Sequence, residues 1–218
     1  RVFDIFVAIF LLVVMAPFLF LAGILIMILE GLPVFYVSVR QISMNKSVKI
    51  FKFRTMVRDA TSSKYQLKEK YMKDGYLDVP LSDEVYTPIG RILERLQIVE
   101  VLQTINILLH GMSFVGNRPL PRENLEQLSQ YPGWEKRFDS PAGITGITQV
   151  VGKFLLTAED RLTLECMYSS LYCSPTGNVL LLDVLIILYT AKLILTGQAL
   201  SLDRAKKLIT FANGGNAL

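Results

Sequence analysis

The sequence predicts an α+β protein whose N-terminal segment lies in a membrane, and three observations lead to this fold class. No charged residue occurs between residues 5 and 29. Residues 48–53, VKIFKF, alternate apolar and basic side chains, as short strands of a small sheet do. Most of the remaining chain has helical patterns. We therefore expect a small β-sheet and interfacial helices that form one cytoplasmic domain beside the membrane segment.

Composition fits a membrane-associated protein that binds anions. Hydrophobic residues make up 51% of the 218 residues, and the mean hydropathy is +0.40, which suggests that some apolar surface belongs to a bilayer. The net charge of +4 suits an anionic lipid surface or phosphorylated ligands, and we expect no nucleic-acid partner. Cys166 and Cys173 lack a metal-ligand pattern, so we expect two free thiols and no secreted disulfide protein.

The apolar run is long enough to cross a bilayer. About 25 helical residues would cover roughly 37 Å, more than the ~30 Å hydrocarbon core. Pro17 lies in its middle, where a proline removes a backbone hydrogen bond and should kink or break the helix. A straight span is favoured by sequence statistics, and a re-entrant hairpin is the alternative. Basic residues crowd residues 40–58, which places that segment in the cytoplasm.

The remaining elements follow in order along the chain. Residues 33–36 and 48–53 are predicted strands, and residues 59–88 are polar and only partly helical. Helices are predicted at 90–109, 158–172 and 180–195, with a short helix after the proline-rich turn at 117–121. We divide the chain into a membrane-inserted helix (1–36), a catalytic-type domain (37–200) and a basic tail (201–218).

The predicted helix 90–109 carries a polar stripe. At 100° per residue, Val99, Gln103 and Asn106 fall within about 60° of one another, with Glu100 on the adjacent flank. A polar stripe that contains a valine indicates a surface other than plain core. Hydrogen bonds from Gln103 and Asn106 to neighbouring loops are the alternative explanation.

A second candidate feature is the turn in GMSFVGNRPLP. Its glycine and prolines restrict the backbone around Arg118. A guanidinium is the side chain best suited to bidentate binding of a phosphate. Arg118 is therefore a candidate phosphate ligand.

Taken together, these motifs resemble the bacterial sugar transferases, the monotopic phosphoglycosyl transferases. The resemblance rests on the apolar segment broken at Pro17, KIFKFRTM, GMSFVGNRPLP and PAGITGITQV in that order, and it covers residues 2 to about 195. It implies a re-entrant membrane helix, an active site facing the cytoplasm at the bacterial inner membrane, and dependence on Mg2+. It also implies transfer of a sugar 1-phosphate from a nucleotide diphosphate sugar to polyprenyl phosphate in polysaccharide or glycoconjugate synthesis. The oligomeric state is open, and a homodimer is one option.

The resemblance also assigns site residues. Glu100 matches the family's metal-associated glutamate and is the expected catalytic residue. Glu94 stands where a phosphate-contacting base is common in the family. The positions that match substrate-binding residues, or lie beside them, are Arg118, Gln149, Gln103, Asn106, Arg95 and Lys153.

This chain departs from the family at the nucleophile. Relatives usually read Leu-Asp-Glu-Leu-Pro-Gln where this chain has IVEVLQ, so the nucleophilic aspartate falls on Val99. A shifted register does not explain this, because four positions align around it: Gln103, Asn106, Met112 and Gly116. A valine cannot attack phosphorus. Either the transferase uses another group or direct attack by the lipid phosphate, or the chain is an inactive relative that serves as a binding or scaffold subunit. We expect an active transferase.

Overall fold

The computed structural model describes residues 2–73, 76–152 and 156–215. The chain divides into two compact units. The first comprises Arg1–Val39 and Lys49–Gly111, and the second Arg40–Val48 and Met112–Leu218. This division into units does not test the predicted domain boundaries after residues 36 and 200, and those boundaries stay a prediction.

The first unit begins with the long apolar helix α1, Val2–Glu30. Apolar side chains are exposed along most of its length, and only Ala8, Ala22 and Ile26 are buried. Pro17 lies inside this single helical element, so the predicted helix-break-helix is not confirmed. By length and composition α1 could cross a membrane, and so could a second helix, Val179–Thr196.

A charged pair marks the end of α1. The Arg54 guanidinium donates hydrogen bonds to the carbonyl oxygens of Glu30 (3.1 Å) and Gly31 (2.8 Å), and its Nη2 lies 3.7 Å from Glu30 Oε2. Carbonyl groups at a helix C-terminus lack helical partners, and a cation supplies donors to them. Arg54, from the KIFKFRTM motif, thus ties the strand segment to the end of the apolar helix.

The predicted sheet is a hairpin of β1 (Phe35–Ser43) and β2 (Lys46–Phe53). Its first strand is longer than the predicted residues 33–36. The polar segment that follows contains α2 (Leu67–Tyr71) and the short pair β3 (Met72–Lys73) and β4 (Tyr76–Leu77). An apolar cluster that includes Tyr65, Val79 and Val85 packs this segment within the first unit.

The predicted helix 90–109 is wrong as a single element. The structure has α3 (Pro88–Arg95), α4 (Ile98–Val101) and α5 (Thr104–His110) instead. Thr87 caps α3, since its hydroxyl accepts from the Gly90 N–H at 3.0 Å. Gln97 then adopts a left-handed conformation with φ of 56°, and its side-chain amide donates to the Glu94 carbonyl at 2.7 Å. This conformation ends α3 and turns the chain before α4 begins.

The broken helix changes the environment of Val99. Val99 is 0% exposed and belongs to an apolar cluster with Ala22, Ile26, Phe53, Leu93 and Leu102. The inference that a stripe containing Val99 faces something other than core is therefore wrong for the valine. Without one continuous helical axis, the wheel angles do not apply across residues 96–104.

The second unit is built around a short parallel pair, β5 (Ser113–Val115) and β6 (Gly143–Thr145). Between these strands lie α6 (Arg122–Leu128) and a 3₁₀ helix, Trp134–Phe138. After them come α7 (Ile147–Val151), α8 (Ala158–Cys173), α9 (Val179–Thr196) and α10 (Leu202–Ala212). The predicted helices 158–172 and 180–195 correspond closely to α8 and α9.

One apolar core holds the second unit together. It includes Val115 of β5, Leu164 of α8, Ile186 of α9 and Ile209 of α10. The predicted basic tail therefore contains a helix with a buried face, on which Ala205 and Ile209 are 0% exposed.

Candidate functional site

In the first unit, Glu100 is the centre of a small charged cluster. Its Oε1 lies 3.2 Å from the Lys52 ammonium, and its Oε2 accepts a hydrogen bond from the Gln103 amide. The side chains of Lys52 and Glu100 are 19% and 15% exposed, so the pair is partly shielded from water. Such a pair interacts more strongly than a fully exposed ion pair. The structure thus brings together two predicted site residues and adds Lys52, which was not predicted.

The other predicted residues of this unit lie outside that contact. Asn106 is fully buried and donates to the Lys49 carbonyl at 2.7 Å, so it braces β2. This partner is a strand and not one of the neighbouring loops of the predicted alternative, and substrate binding by Asn106 stays a prediction. Arg95 is exposed in the last turn of α3. Glu94 accepts from the Thr55 hydroxyl at 3.0 Å.

The fit of Mg2+ to this cluster depends on ligands from outside the protein. In the part of the chain that the structure describes, no three His, Cys, Asp or Glu side chains group as metal ligands. Glu100 offers one carboxylate, which already contacts an ammonium. Magnesium sites often consist of one or two carboxylates, waters and substrate phosphates. Glu100 therefore fits Mg2+ only as one ligand among substrate oxygens.

In the second unit, main-chain hydrogen bonds hold the turn that carries Arg118. The Gly116 N–H donates to the Thr145 carbonyl at 3.0 Å, and the Asn117 N–H donates to the Pro141 carbonyl at 3.1 Å. The Gly143 N–H donates in return to the Asn117 carbonyl at 3.0 Å. The motifs GNRP and PAGITG, separate in sequence, thus form one backbone scaffold.

Close backbone contact explains the glycines of this scaffold. A Cβ at Gly116 would lie 2.2 Å from the Pro141 carbonyl oxygen, and a Cβ at Gly143 would lie 2.2 Å from the Gly116 nitrogen. At Gly146 it would lie 2.1 Å from the Gly116 oxygen. Carbon atoms cannot approach main-chain atoms this closely, so only glycine fits. The Gly143 N–H at the start of β6 is already bonded to the Asn117 carbonyl, so it does not donate to a phosphate here.

Arg118 itself is half-buried and lines a small cleft with Gln41, Asn117, Arg137 and Ser140, among other residues. The cleft holds about 170 Å³, open mouth included. Pockets for small molecules usually hold about 300–1,000 Å³. Because the 170 Å³ include open solvent, the enclosed part of the cleft is smaller still, and it does not hold a whole nucleotide sugar.

The remaining predicted residues belong to the segment after β6. Gln149 donates to the Ile144 carbonyl at 3.3 Å and accepts from the Thr148 hydroxyl at 3.1 Å. The nitrogen of its side-chain amide therefore bonds β6, and the oxygen bonds its neighbour in α7. Lys153 lies outside the described residues.

Sequence reasoning missed a buried polar cluster beneath the Arg118 turn. Arg137 Nε lies 2.7 Å from Glu165 Oε2, and both side chains are almost fully buried. The signal for this pair was weak, because the two residues are far apart in sequence and neither stands in a recognisable motif. Lys52, by contrast, lies between two phenylalanines in KIFKFRTM, one of the motifs that carry the family resemblance.

Comparison with known proteins agrees with these features. The family model for bacterial sugar transferases matches residues 1–197. A UDP-N-acetylgalactosamine-undecaprenyl-phosphate N-acetylgalactosaminephosphotransferase from Aeromonas hydrophila is 30% identical over 90% of this chain and 44% of its own length. The uncharacterized sugar transferase EpsL from Bacillus subtilis is 32% identical over 77% of this chain and 76% of its own length.

A third relative has a named donor and acceptor. The UDP-glucose:undecaprenyl-phosphate glucose-1-phosphate transferase of Escherichia coli is 30% identical over 70% of this chain and 31% of its own length. The chain thus spans less than half the length of two of these three relatives. Because the family model covers nine-tenths of the sequence, the chain belongs to the bacterial sugar transferase family.

Proposed function

We propose that this chain is a membrane-associated transferase that moves a sugar 1-phosphate from a nucleotide diphosphate sugar to a polyprenyl-phosphate-type acceptor. The observation that carries the proposal is the family match over residues 1–197. Within these residues, Glu100 is paired with Lys52, and main-chain hydrogen bonds hold the turn that carries Arg118. The relatives from Aeromonas hydrophila and Escherichia coli are both named for transfer from a UDP-sugar to undecaprenyl phosphate. Bacterial polysaccharide or glycoconjugate synthesis is the setting we propose.

The chemistry we propose is a single displacement. An oxygen of the lipid phosphate attacks the β-phosphorus of the donor. The bond from that phosphorus to the oxygen bridging the α-phosphate breaks, and its electron pair leaves with the nucleoside monophosphate. The product is a polyprenyl diphosphate sugar. This route needs no carboxylate at position 99, where the buried Val99 offers none.

Arg118 and Glu100 have different roles in this proposal. The Arg118 guanidinium binds a donor phosphate through two parallel hydrogen bonds and offsets charge that develops during transfer. Glu100, held by Lys52 and Gln103, would hold Mg2+ in the first unit, with its other ligands coming from outside the protein. When bound, Mg2+ supplies charge neutralisation for the diphosphate. We therefore expect metal binding without the nucleotide sugar to be weak.

The proposed location is the bacterial inner membrane, with α1 re-entrant and the active site facing the cytoplasm. The exposed apolar surface of α1 and the basic residues after it support this location. Cysteines at Val2 and Leu32, both exposed, can be labelled in sealed vesicles after the native cysteines are replaced by serine. Labelling of both from one face supports a re-entrant helix, whereas labelling from opposite faces supports a span.

A transfer assay tests the function. The protein in detergent is incubated with polyprenyl phosphate, Mg2+ and a panel of radiolabelled nucleotide sugars, and label in the organic phase is measured. We expect lipid-soluble label from at least one donor and loss of most of it in Arg118→Ala. Intact-mass spectrometry during turnover should find no phosphosugar adduct on the protein, because the route is a single displacement.

The burial of Val99 also favours a second candidate function. A family member whose nucleophile position is closed by apolar packing can serve as a substrate-binding or scaffold subunit. In the same assay, a labelled donor that binds without entering the lipid phase supports this candidate over the transferase.

A further inference from the structure

The turn that carries Arg118 rests on a buried ion pair. Arg137, from the 3₁₀ helix, and Glu165, from α8, are each 2% exposed, and Arg137 Nε lies 2.7 Å from Glu165 Oε2. Arg137 Nη2 also donates to the main-chain carbonyl of Arg118 at 2.9 Å. One guanidinium therefore joins a carboxylate on α8 to the main chain of the turn.

Asn117 makes a second connection to the same pair. Its Nδ2 lies 2.8 Å from the Arg137 carbonyl oxygen and 3.1 Å from the Glu165 carbonyl oxygen. The hydroxyls of Ser140 and Ser169 lie 3.1 Å and 3.0 Å from the same nitrogen, and 2.9 Å from each other. The turn is thus anchored through the side chain of Asn117 and through the carbonyl of Arg118.

Stability alone does not account for a buried ion pair of this kind. Removing two charges from water is costly, and apolar residues of similar size often replace such a pair with equal or greater stability. The hydrogen bond from Arg137 to the Arg118 carbonyl is different, because an apolar side chain cannot make it. What only this pair can contribute is therefore the hydrogen bond that holds the Arg118 turn in position.

We infer that the Arg137–Glu165 pair is a positioning device that orients the Arg118 turn for phosphate binding. This inference rests on the proposed function, in which Arg118 binds a donor phosphate. Arg137 and Glu165 act through the main chain of the turn, while Arg118 makes the contact with the donor. A small displacement of a bidentate donor weakens both of its hydrogen bonds at once.

Three variants of the full chain in detergent separate positioning from stability. Glu165→Gln leaves the Arg137 guanidinium buried without its counter-charge. The double variant Arg137→Met, Glu165→Leu removes both charges and keeps an apolar filling of similar size. Ile209→Ala, in α10, creates a cavity in the core of the same unit and serves as the control.

Hydrogen exchange of the peptide covering residues 116–120 reports directly on the turn. We expect exchange at least tenfold faster in both variants of the pair, even though the double variant melts within a few degrees of the unmodified protein. In Ile209→Ala, which melts lower, exchange of this peptide should stay near that of the unmodified protein. If the double variant restores both the melting temperature and slow exchange, the pair is only structural and the inference is overturned.

Binding of UDP, the probe for the donor diphosphate, provides the second measurement. We expect the affinity for UDP to fall about tenfold in both variants of the pair and to stay unchanged in Ile209→Ala. Faster exchange with unchanged UDP affinity would overturn the role of the pair in phosphate binding. UDP that fails to bind the unmodified protein would count against the proposed function, whereas the exchange measurement still decides whether the pair positions the turn.

Discussion

Replacing Val99 by aspartate restores the carboxylate that relatives are expected to carry, yet the structure predicts a severe loss of stability. Val99 is 0% exposed and packs in the apolar cluster with Ile26, Phe53 and Leu102, among others. Losing its burial costs about 2 kcal/mol, and an unpaired buried polar group costs about another 1–3 kcal/mol. A buried charge adds several kcal/mol more. The sum approaches the ~5–15 kcal/mol stability of a typical domain.

The charge contribution can be separated by pH. Burial raises the pKa of the introduced carboxyl above that of an unfolded aspartate, about 3.9. Above about pH 4 the unfolded state therefore releases the proton more readily than the folded state. Stability of Val99→Asp should fall by about 1.4 kcal/mol per pH unit until the raised folded pKa is reached. The neutral variant Val99→Asn has a similar shape and lacks this dependence.

Melting of the helices, followed by circular dichroism in detergent, measures the effect. At pH 7 we expect the unmodified protein to melt highest, Val99→Asn lower and Val99→Asp lowest, and the two variants to converge near pH 4. Trp134 lies in the second unit, so its fluorescence shows whether that unit is affected separately.

One result would refute this reasoning. If Val99→Asp melts like the unmodified protein at pH 7 and forms a Mg2+-dependent phosphosugar adduct, position 99 reaches the substrate. The apolar cluster would then not be the environment of this residue during catalysis, and a double displacement would be restored by one substitution.

Three further predictions concern single residues. Arg118→Lys should weaken donor binding by on the order of 1–3 kcal/mol, because a point charge cannot reproduce the bidentate fork, and unchanged affinity by calorimetry would make Arg118 structural. Gly116→Ala should lower the melting temperature strongly, because its Cβ would lie 2.2 Å from a carbonyl oxygen. Gly23→Ala is the control, because its Cβ would lie 3.8 Å from the nearest atom and should leave the melting temperature nearly unchanged. If both variants lower the melting temperature equally, the steric explanation is contradicted. Burial raises the pKa of the Cys166 thiol, so less thiolate forms near neutral pH. Peptide mapping after alkylation should therefore find Cys166 modified more slowly than the exposed Cys173, and the opposite order would exclude this cause.

Elements with strong local signals could be predicted well. The predicted helix 158–172 differs from α8 by one residue at its end, and α9 extends the prediction 180–195 by one residue at each end. Thr157 and Asn178 cap these helices through their side chains, and Gly197 ends α9 with φ of 70°. Caps and apolar periodicity act over a few residues, so the sequence displays them directly.

The region 90–109 was predicted less well because its breaks have no such signal. Gln97 adopts a left-handed conformation without being glycine or asparagine, and no proline follows it at once. A helical wheel assumes one axis, and here the axis changes twice. Glu100 and Gln103 still lie side by side, as the helical wheel placed them, because residues three apart are neighbours on a helical turn. Their roles in the site stay predictions.

The sequence by itself determined the family, the apolar N-terminal helix, the two long helices of the second unit, and Arg118 as the candidate in a restricted turn. Only the tertiary structure decided that Val99 is core, that Lys52 pairs with Glu100, and that Arg137 and Glu165 hold the Arg118 turn. The physical reason is the distance along the chain over which each property is determined. Motifs, caps and periodicity are properties of neighbouring residues, whereas the burial of a side chain and its charged partner depend on segments that folding brings together from distant parts of the chain.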